Sequence, residues 1–207
     1  MINLETLKNE LNPQQYKAVT TTEGAILIIA GAGSGKTRVI TFRIAHMLDK
    51  GIPQSQILAL TFTNKAAKEM ADRIKSLTQK KLQNLTVSTF HAFGVKVLRA
   101  DIDKLGYRDN FSIYDETDRV SLIKECGREL QFSPEAMDIY MIGNLISNIK
   151  TGRKNWDTSN DMYRPLYESY QEGLKLFNAV DFDDLIVLPI KLFKEHPEVL
   201  AKYRERY

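Results

Sequence analysis

Ala25-Ile-Leu-Ile-Ile-Ala30 runs directly into Gly31-Ala-Gly-Ser-Gly-Lys-Thr37, and this junction decides the fold class. The apolar run is rich in isoleucine and bounded by Gly24 and Gly31. It has the pattern of a strand buried on both faces. Beyond the glycines, Ile40, Ile44, Met47 and Leu48 recur at helical spacing, and Gly51-Ile-Pro53 ends the helix. A strand, a glycine-rich turn and a helix are therefore expected in sequence. Residues Ala30, Gly31, Ala32, Gly33, Ser34, Gly35, Lys36 and Thr37 fit the phosphate-binding loop, with alanine where a first glycine is usual. Glycines allow the dihedrals that bring several N–H groups toward one point. The helix N-terminus adds unpaired donors and partial positive charge. Lys36 supplies a cation for the β- and γ-phosphates, and the Thr37 hydroxyl is placed to ligate Mg²⁺. An inert glycine turn is the competing reading, and Gly-Lys-Thr in register between strand and helix disfavours it. The loop alone does not choose among kinases, GTPases, transporters and motors.

The unit repeats in outline. Ile57-Leu-Ala-Leu-Thr61 is a second expected strand, followed by a helix with Ala66, Met70, Ile74 and Leu77 on one face and Asn64 as its cap. Leu85-Thr-Val-Ser88 is a third, with a helix from about His91. Alternating strands and helices argue for an α/β fold with a parallel sheet. Upstream, residues 12–23 suggest a short helix and turn. After about residue 100 only helical patterns are expected. One starts at Asp115 with Leu122, Ile123, Cys126 and Leu130 inward. Another starts at Ser133-Pro134 with Ile139, Ile142, Ile146 and Ile149 in line. Lys150 to Asp161 has loop composition. Tyr163, Tyr167, Tyr170, Leu174 and Phe177 stripe a third helix, and Asp181-Phe-Asp-Asp184 opens a fourth, interrupted near Pro189. Trp156 and the tyrosine stripe are expected in the core, ahead of a stacking surface.

Composition narrows the class. Hydrophobic residues make up 43% and charged residues 27%, as in globular proteins. Cys126 is the one cysteine, so no intrachain disulfide is possible. That fits a reducing compartment such as the cytoplasm. No apolar run is long enough for a membrane helix. Residues 1–100 carry a net charge of +8 and residues 101–207 a net of −5. The basic half holds the loop, which suits polyphosphate or nucleic acid as well as an ordinary solvated surface.

Further strings narrow the reading. Thr61-Phe-Thr-Asn-Lys-Ala-Ala-Lys-Glu-Met70 resembles the second signature of superfamily 1 DNA helicases of the UvrD/Rep/PcrA type. Leu11-Asn-Pro-Gln-Gln-Tyr-Lys-Ala-Val19 is similar to that family's adenine-reading glutamine motif. Ser88-Thr-Phe-His-Ala-Phe93 is similar to its next DNA-contacting motif, and Asp181-Phe-Asp-Asp-Leu185 to the segment where a helical insertion rejoins the motor. These motifs and the loop span nearly the whole chain in the family's order. The resemblance implies a P-loop NTPase (RecA-like) parallel sheet, incomplete here, with an all-helical inserted subdomain. It implies motor domain 1A at 1–91, insertion 1B at 92–181, and a return to 1A at 182–207.

Carried over residue by residue, the resemblance implies ATP with Mg²⁺ as cofactors. Gln15 would read the adenine edge, since an amide donates and accepts at N6 and N7; Gln14 is the alternative by one position. Arg38 would pack on the adenine face, its competing reading being a surface charge. Phe62, Thr63, Asn64 and His91 would contact single-stranded DNA. On residues alone, Phe62 is equally a core aromatic at a strand end, and His91 is more often structural. Asp181, Asp183 and Asp184 are better explained as acids at a helix N-terminus than as a metal site.

The family's parent activity is 3′ to 5′ translocation on single strands and at single/double-strand junctions, driven by ATP closing two motor domains. Its hydrolytic Asp-Glu-x-x-Asp string does not occur in these residues. A piece of a longer protein is therefore expected, with turnover by the piece in doubt. Another P-loop enzyme leaves the Thr-Phe-Thr-Asn and Thr-Phe-His strings unexplained. A module that binds nucleotide or DNA without turnover is the remaining alternative.

Overall fold

The computed structural model describes residues 4–79, 81–133 and 137–207. The elements are α1 (Leu4–Glu10), α2 (Pro13–Thr20), α3 (Lys36–Asp49), β1 (Leu58–Thr61), α4 (Asn64–Thr78), β2 (Thr86–Thr89) and α5 (Phe90–Asp101). Then follow β3 (Ser112–Ile113), α6 (Glu116–Glu129), α7 (Ile139–Lys150), α8 (Arg164–Leu176), β4 (Ala179–Val180), α9 (Asp184–Glu195) and α10 (Pro197–Arg206). The chain is thus α/β and mostly helical, with small parallel sheets. It divides into two compact units, one holding residues up to Phe90 with Tyr203–Tyr207, the other His91–Lys202.

In the first unit, β1 and β2 pair in parallel, with Leu58 opposite Thr86 and Thr61 opposite Thr89. Asn12 starts α2 through a capping box: its side chain accepts from the Gln15 N–H at 2.9 Å, while the Gln15 amide oxygen accepts from the Asn12 N–H at 3.1 Å. Val39, Phe42 and Ala45 pack α3 on Leu7, Leu11 and Val19. On another side of α3, Ile44 and Leu48 meet Ile57, Ala59, Met70 and Ile74. Each such buried side chain stabilises the fold by about 1.5–3 kcal/mol. Ile40, expected inward, is exposed, because burying Val39 and Phe42 rotates it outward.

The apolar run 25–30 departs from expectation. It forms no strand, and Leu27 and Ile29 are 84% and 88% exposed. A strand needs backbone partners as well as apolar side chains, and β1 pairs only with β2 among the described residues. The cap of α4 is also corrected. Thr63, not Asn64, is the N-cap, accepting from the Ala66 N–H at 3.1 Å, and Asn64 is the first helical residue.

The second unit is built mainly of helices. Leu122, Ile123, Cys126, Ile142, Ile146, Leu166, Tyr170 and Leu174 form one core across α6, α7 and α8, with Tyr163 and Tyr167 packed against it. The tyrosine stripe is core, as expected, although Phe177 and Leu130 are exposed just beyond the ends of their helices. Burial pushes the Cys126 thiol up, away from the reactive thiolate. Two strands not foreseen after residue 100 are the two-residue segments β3 and β4, paired in parallel and too short to leave a periodic signal. The expected helix start at Ser133-Pro134 runs into residues outside those described. The described α7 begins under an Asp138 cap that accepts from the Met141 N–H at 3.0 Å. Lys150, expected in a loop, is the last residue of α7 and is buried.

Pro189 does not interrupt α9. Having no N–H, it cannot bond the Leu185 carbonyl one turn back. A Cβ on Gly94 of α5 would lie 1.8 Å from that carbonyl oxygen, so only glycine allows this approach.

Candidate functional site

The loop 30–37 sits at the head of α3. Gly33 and Gly35 take left-handed backbone conformations, with φ of 75° and 83°. Gly35 is the N-cap of α3 and offers no side chain to cap it, so no side chain claims the first-turn N–H groups there. An extra Cβ on Gly31 or Gly33 would meet open space, whereas one on Gly35 would approach the Gln15 amide nitrogen to 3.1 Å.

Three expected site residues converge here. Gln15 Nε2 donates to the Ser34 carbonyl at 3.1 Å. Ser34 Oγ donates to the Gly31 carbonyl at 2.7 Å. Lys36 Nζ donates to the carbonyls of Ala30 at 3.0 Å and Gly31 at 2.6 Å. The lysine is exposed, so its ammonium bridges loop carbonyls without being locked in a core. Gln14, Gln15, Ala30, Ser34 and Lys36 line a cavity of about 170 Å³. Both glutamines face it, so the choice between them stays as the sequence left it. This space is smaller than an ordinary ligand pocket of roughly 300–1,000 Å³.

The donor set fits a polyphosphate. It combines one exposed cation, glycine backbone and an uncapped helix N-terminus. Thr37 lies in the first turn of α3 and is exposed, so its hydroxyl is accessible to a phosphate-bound Mg²⁺. Arg38 is turned elsewhere: its guanidinium donates to the Glu10 carbonyl at 2.9 Å and pairs with the Glu10 carboxylate. It also lies 5.3 Å from the centre of the Phe42 ring. Both partners of that ion pair are about half exposed, so it holds Arg38 weakly, by roughly 0–1 kcal/mol.

Phe62 follows β1 and is 87% exposed, which removes the core reading for this aromatic. Its ring lies 5.4 Å from that of Phe90, tilted by 39°. Thr63 and Asn64 are exposed beside it, Thr63 with its hydroxyl committed to the cap. In the second unit, His91 is exposed near the start of α5, its ring 5.9 Å from that of Phe182. Phe90 and Phe182 stand inside strings quoted for the resemblance. An exposed aromatic beside each assigned residue was the available signal for them.

Asp181 and Asp184 are buried and consumed internally. Lys150 Nζ lies 2.7 Å from Asp181 Oδ2 and 2.9 Å from Asp184 Oδ2. Tyr170 Oη donates to Asp181 Oδ2 at 2.9 Å. The Asp181 N–H donates to Asp184 Oδ2 at 3.1 Å, and the Asp184 N–H to Asp181 Oδ1 at 2.9 Å. Burial pushes Asp184 up to about 6, with Lys150 opposing and Asp181 assisting. Asp181 is held below the usual carboxylate range because Lys150 and several hydrogen bonds outweigh its burial.

The chain is thus α/β, with a glycine loop at the head of a helix and an exposed aromatic directly after β1. A family model described as the UvrD/REP helicase N-terminal domain matches residues 11–207, and the chain belongs to that family. It is similar to the ATP-dependent DNA helicase PcrA of Staphylococcus aureus, 41% identical over 213 residues that cover 99% of this chain and 29% of the relative. It is also similar to the protein of the same name from Staphylococcus epidermidis, 44% identical over 214 residues, with the same coverage. The chain spans under a third of the length of these relatives. No helix among the described residues is long and apolar enough to cross a membrane.

Proposed function

We propose that this chain is the N-terminal part of an ATP-dependent DNA helicase that translocates 3′ to 5′ on single-stranded DNA and acts at single/double-strand junctions. The observation that carries the reading is the meeting of Gln15, Ser34 and Lys36 at the uncapped head of α3. Family membership supports it. Residues 1–91 and 182–207 would belong to a RecA-like P-loop motor domain 1A, and 92–181 to a helical insertion 1B.

Lys36 would leave the Ala30 and Gly31 carbonyls for the β- and γ-phosphates, exchanging neutral acceptors for charged ones. Gln15 would read the adenine, with Gln14 as alternative, and Arg38 would swing from Glu10 onto the adenine face. Backbone N–H groups from Gly31 to Thr37 would hold the phosphates. Thr37 would provide one oxygen ligand to Mg²⁺, which neutralises phosphate charge when bound. Phe62 would stack on a base, while Thr63, Asn64 and His91 would contact the strand. Binding without turnover is the reading for the chain alone, since its 207 residues hold no Asp-Glu-x-x-Asp string.

The test is Lys36→Ala in the full-length protein. It should reduce DNA-stimulated ATPase at least about a hundredfold and leave DNA binding largely intact. Wild-type turnover in that variant would overturn the assignment.

A further inference from the structure

Lys150 is the most deeply buried cation described in the second unit, its side chain 2% exposed, and none of the roles above uses it. It faces two carboxylates that are equally buried. Both carboxylates belong to one turn, and between them lie Asp183 and Phe182, the latter exposed and packed on His91. We propose that Lys150 is a positioning residue: by clamping Asp181 and Asp184 it fixes the turn that presents Phe182 to His91, and so sets the DNA-contacting edge of this unit. The inference rests on the DNA reading of His91.

The geometry explains why ions serve here. Apolar packing is non-directional and would bury Phe182 as readily as any neighbour. Charged hydrogen bonds have defined directions and fix a backbone. A buried ion pair adds little net stability over an apolar replacement, and orientation is one property it can supply. The turn is pinned from both ends. Upstream, β4 pairs with β3, and the Tyr114 N–H donates to the Val180 carbonyl at 2.8 Å. Downstream, the reciprocal Asp181 and Asp184 bonds lock the first turn of α9. Lys150 closes the arrangement from α7 and Tyr170 from α8. The charges of this cluster act in turn on the phenols of Tyr107 and Tyr167, and the Arg119 guanidinium acts on Tyr170.

Without Lys150, two buried carboxylates would face each other and take up protons. Acid should therefore rescue the variant, and a positioning role adds that loss and rescue are both read at His91, away from the buried charges. His91 is one of three histidines in the chain, so its imidazole signals are readily followed by NMR. In the wild type they should carry a ring-current shift that Phe182→Leu removes. In Lys150→Met at about pH 7.5 that shift should collapse, and at about pH 5.5, as the carboxylates neutralise, it should return to that of wild type at the same pH. In the full-length protein, affinity for an oligothymidylate strand should fall about tenfold at the higher pH, and recover at the lower relative to wild type at that pH. Should Lys150→Met fail to fold, Tyr170→Phe removes only the hydroxyl bond to Asp181 and should shift the His91 signals partway. Wild-type His91 signals in the folded variants at about pH 7.5 overturn the clamp. A collapsed shift with unchanged affinity overturns its link to DNA. Unchanged affinity in His91→Ala overturns the DNA reading of the site itself.

Discussion

Lys36 and Lys150 are the same residue placed under opposite conditions. Lys36 stands exposed on a glycine loop, its ammonium resting on two neutral carbonyls. Lys150 is enclosed between helices, its ammonium held by two carboxylates. The loop leaves its charge available for exchange, and the clamp spends its charge within the fold. A ligand-binding cation must be held by partners that a ligand can outbid, and neutral carbonyls in water meet that condition. A cation that fixes a turn must be held by partners that nothing displaces, and buried carboxylates meet that one.

The largest expected effect separates the two lysines directly. Lys150→Met should lower the free energy of unfolding by about 3 kcal/mol at neutral pH, because removing one partner strands buried charge. Lys36→Met should change it by less than about 0.5 kcal/mol, because the site is exposed. Urea denaturation of both variants of the chain checks this. Equal losses would break the distinction between a charge kept available and one consumed.

The two sites also differed in how far the sequence revealed them. The loop is contiguous: Gly31 to Thr37 places every component within a few residues, so local pattern carries it. The helices of the second unit were legible for the same reason, from Leu122, Ile123 and Cys126 and from Ile142 and Ile146. The clamp joins Lys150 to Asp181 across 31 positions, and no periodicity links them. The sequence marks Asp181 and Asp184 as acids at a helix start, while the stretch that begins at their buried partner has the composition of a loop. Residues 25–30 failed in the other direction. Their composition has the pattern of a buried strand, yet pairing depends on neighbouring backbone, which composition does not encode.

The next effect is smaller and concerns pH. Asp184 is raised from 3.8 to about 6, so its folded form holds a proton more tightly than its unfolded form. Its contribution to stability is present below about pH 4 and is lost as pH rises through about 6. Asp181 is depressed, so its contribution runs the other way, present above about pH 4 and lost below it. Between about pH 5 and 7.5 the Asp184 effect dominates and should remove on the order of 1–3 kcal/mol. Asp184→Asn mimics the protonated form and leaves one carboxylate for Lys150. Its unfolding free energy should be nearly flat over that range and at least equal to wild type at the upper end. A wild-type slope retained in the variant would assign the titration to another group. Lys36→Met leaves Asp184 and its partners in place, so it should retain the slope.

The smallest effect applies the same distinction within one pair proposed to contact DNA. Thr63 and Asn64 are adjacent and both exposed, and the sequence offered both as DNA contacts and Asn64 as the cap. In the structure the Thr63 hydroxyl accepts from the Ala66 N–H, so it is consumed in the manner of Lys150. Asn64, already inside α4, is left available in the manner of Lys36. Thr63→Ala should therefore cost about 1 kcal/mol of stability through loss of the cap. Asn64→Ala should change stability by less than about 0.5 kcal/mol, since alanine favours the helix interior and no cap is lost. Thermal unfolding of the two variants decides the order. The converse order would return the cap to Asn64 and leave the Thr63 hydroxyl as the freer group.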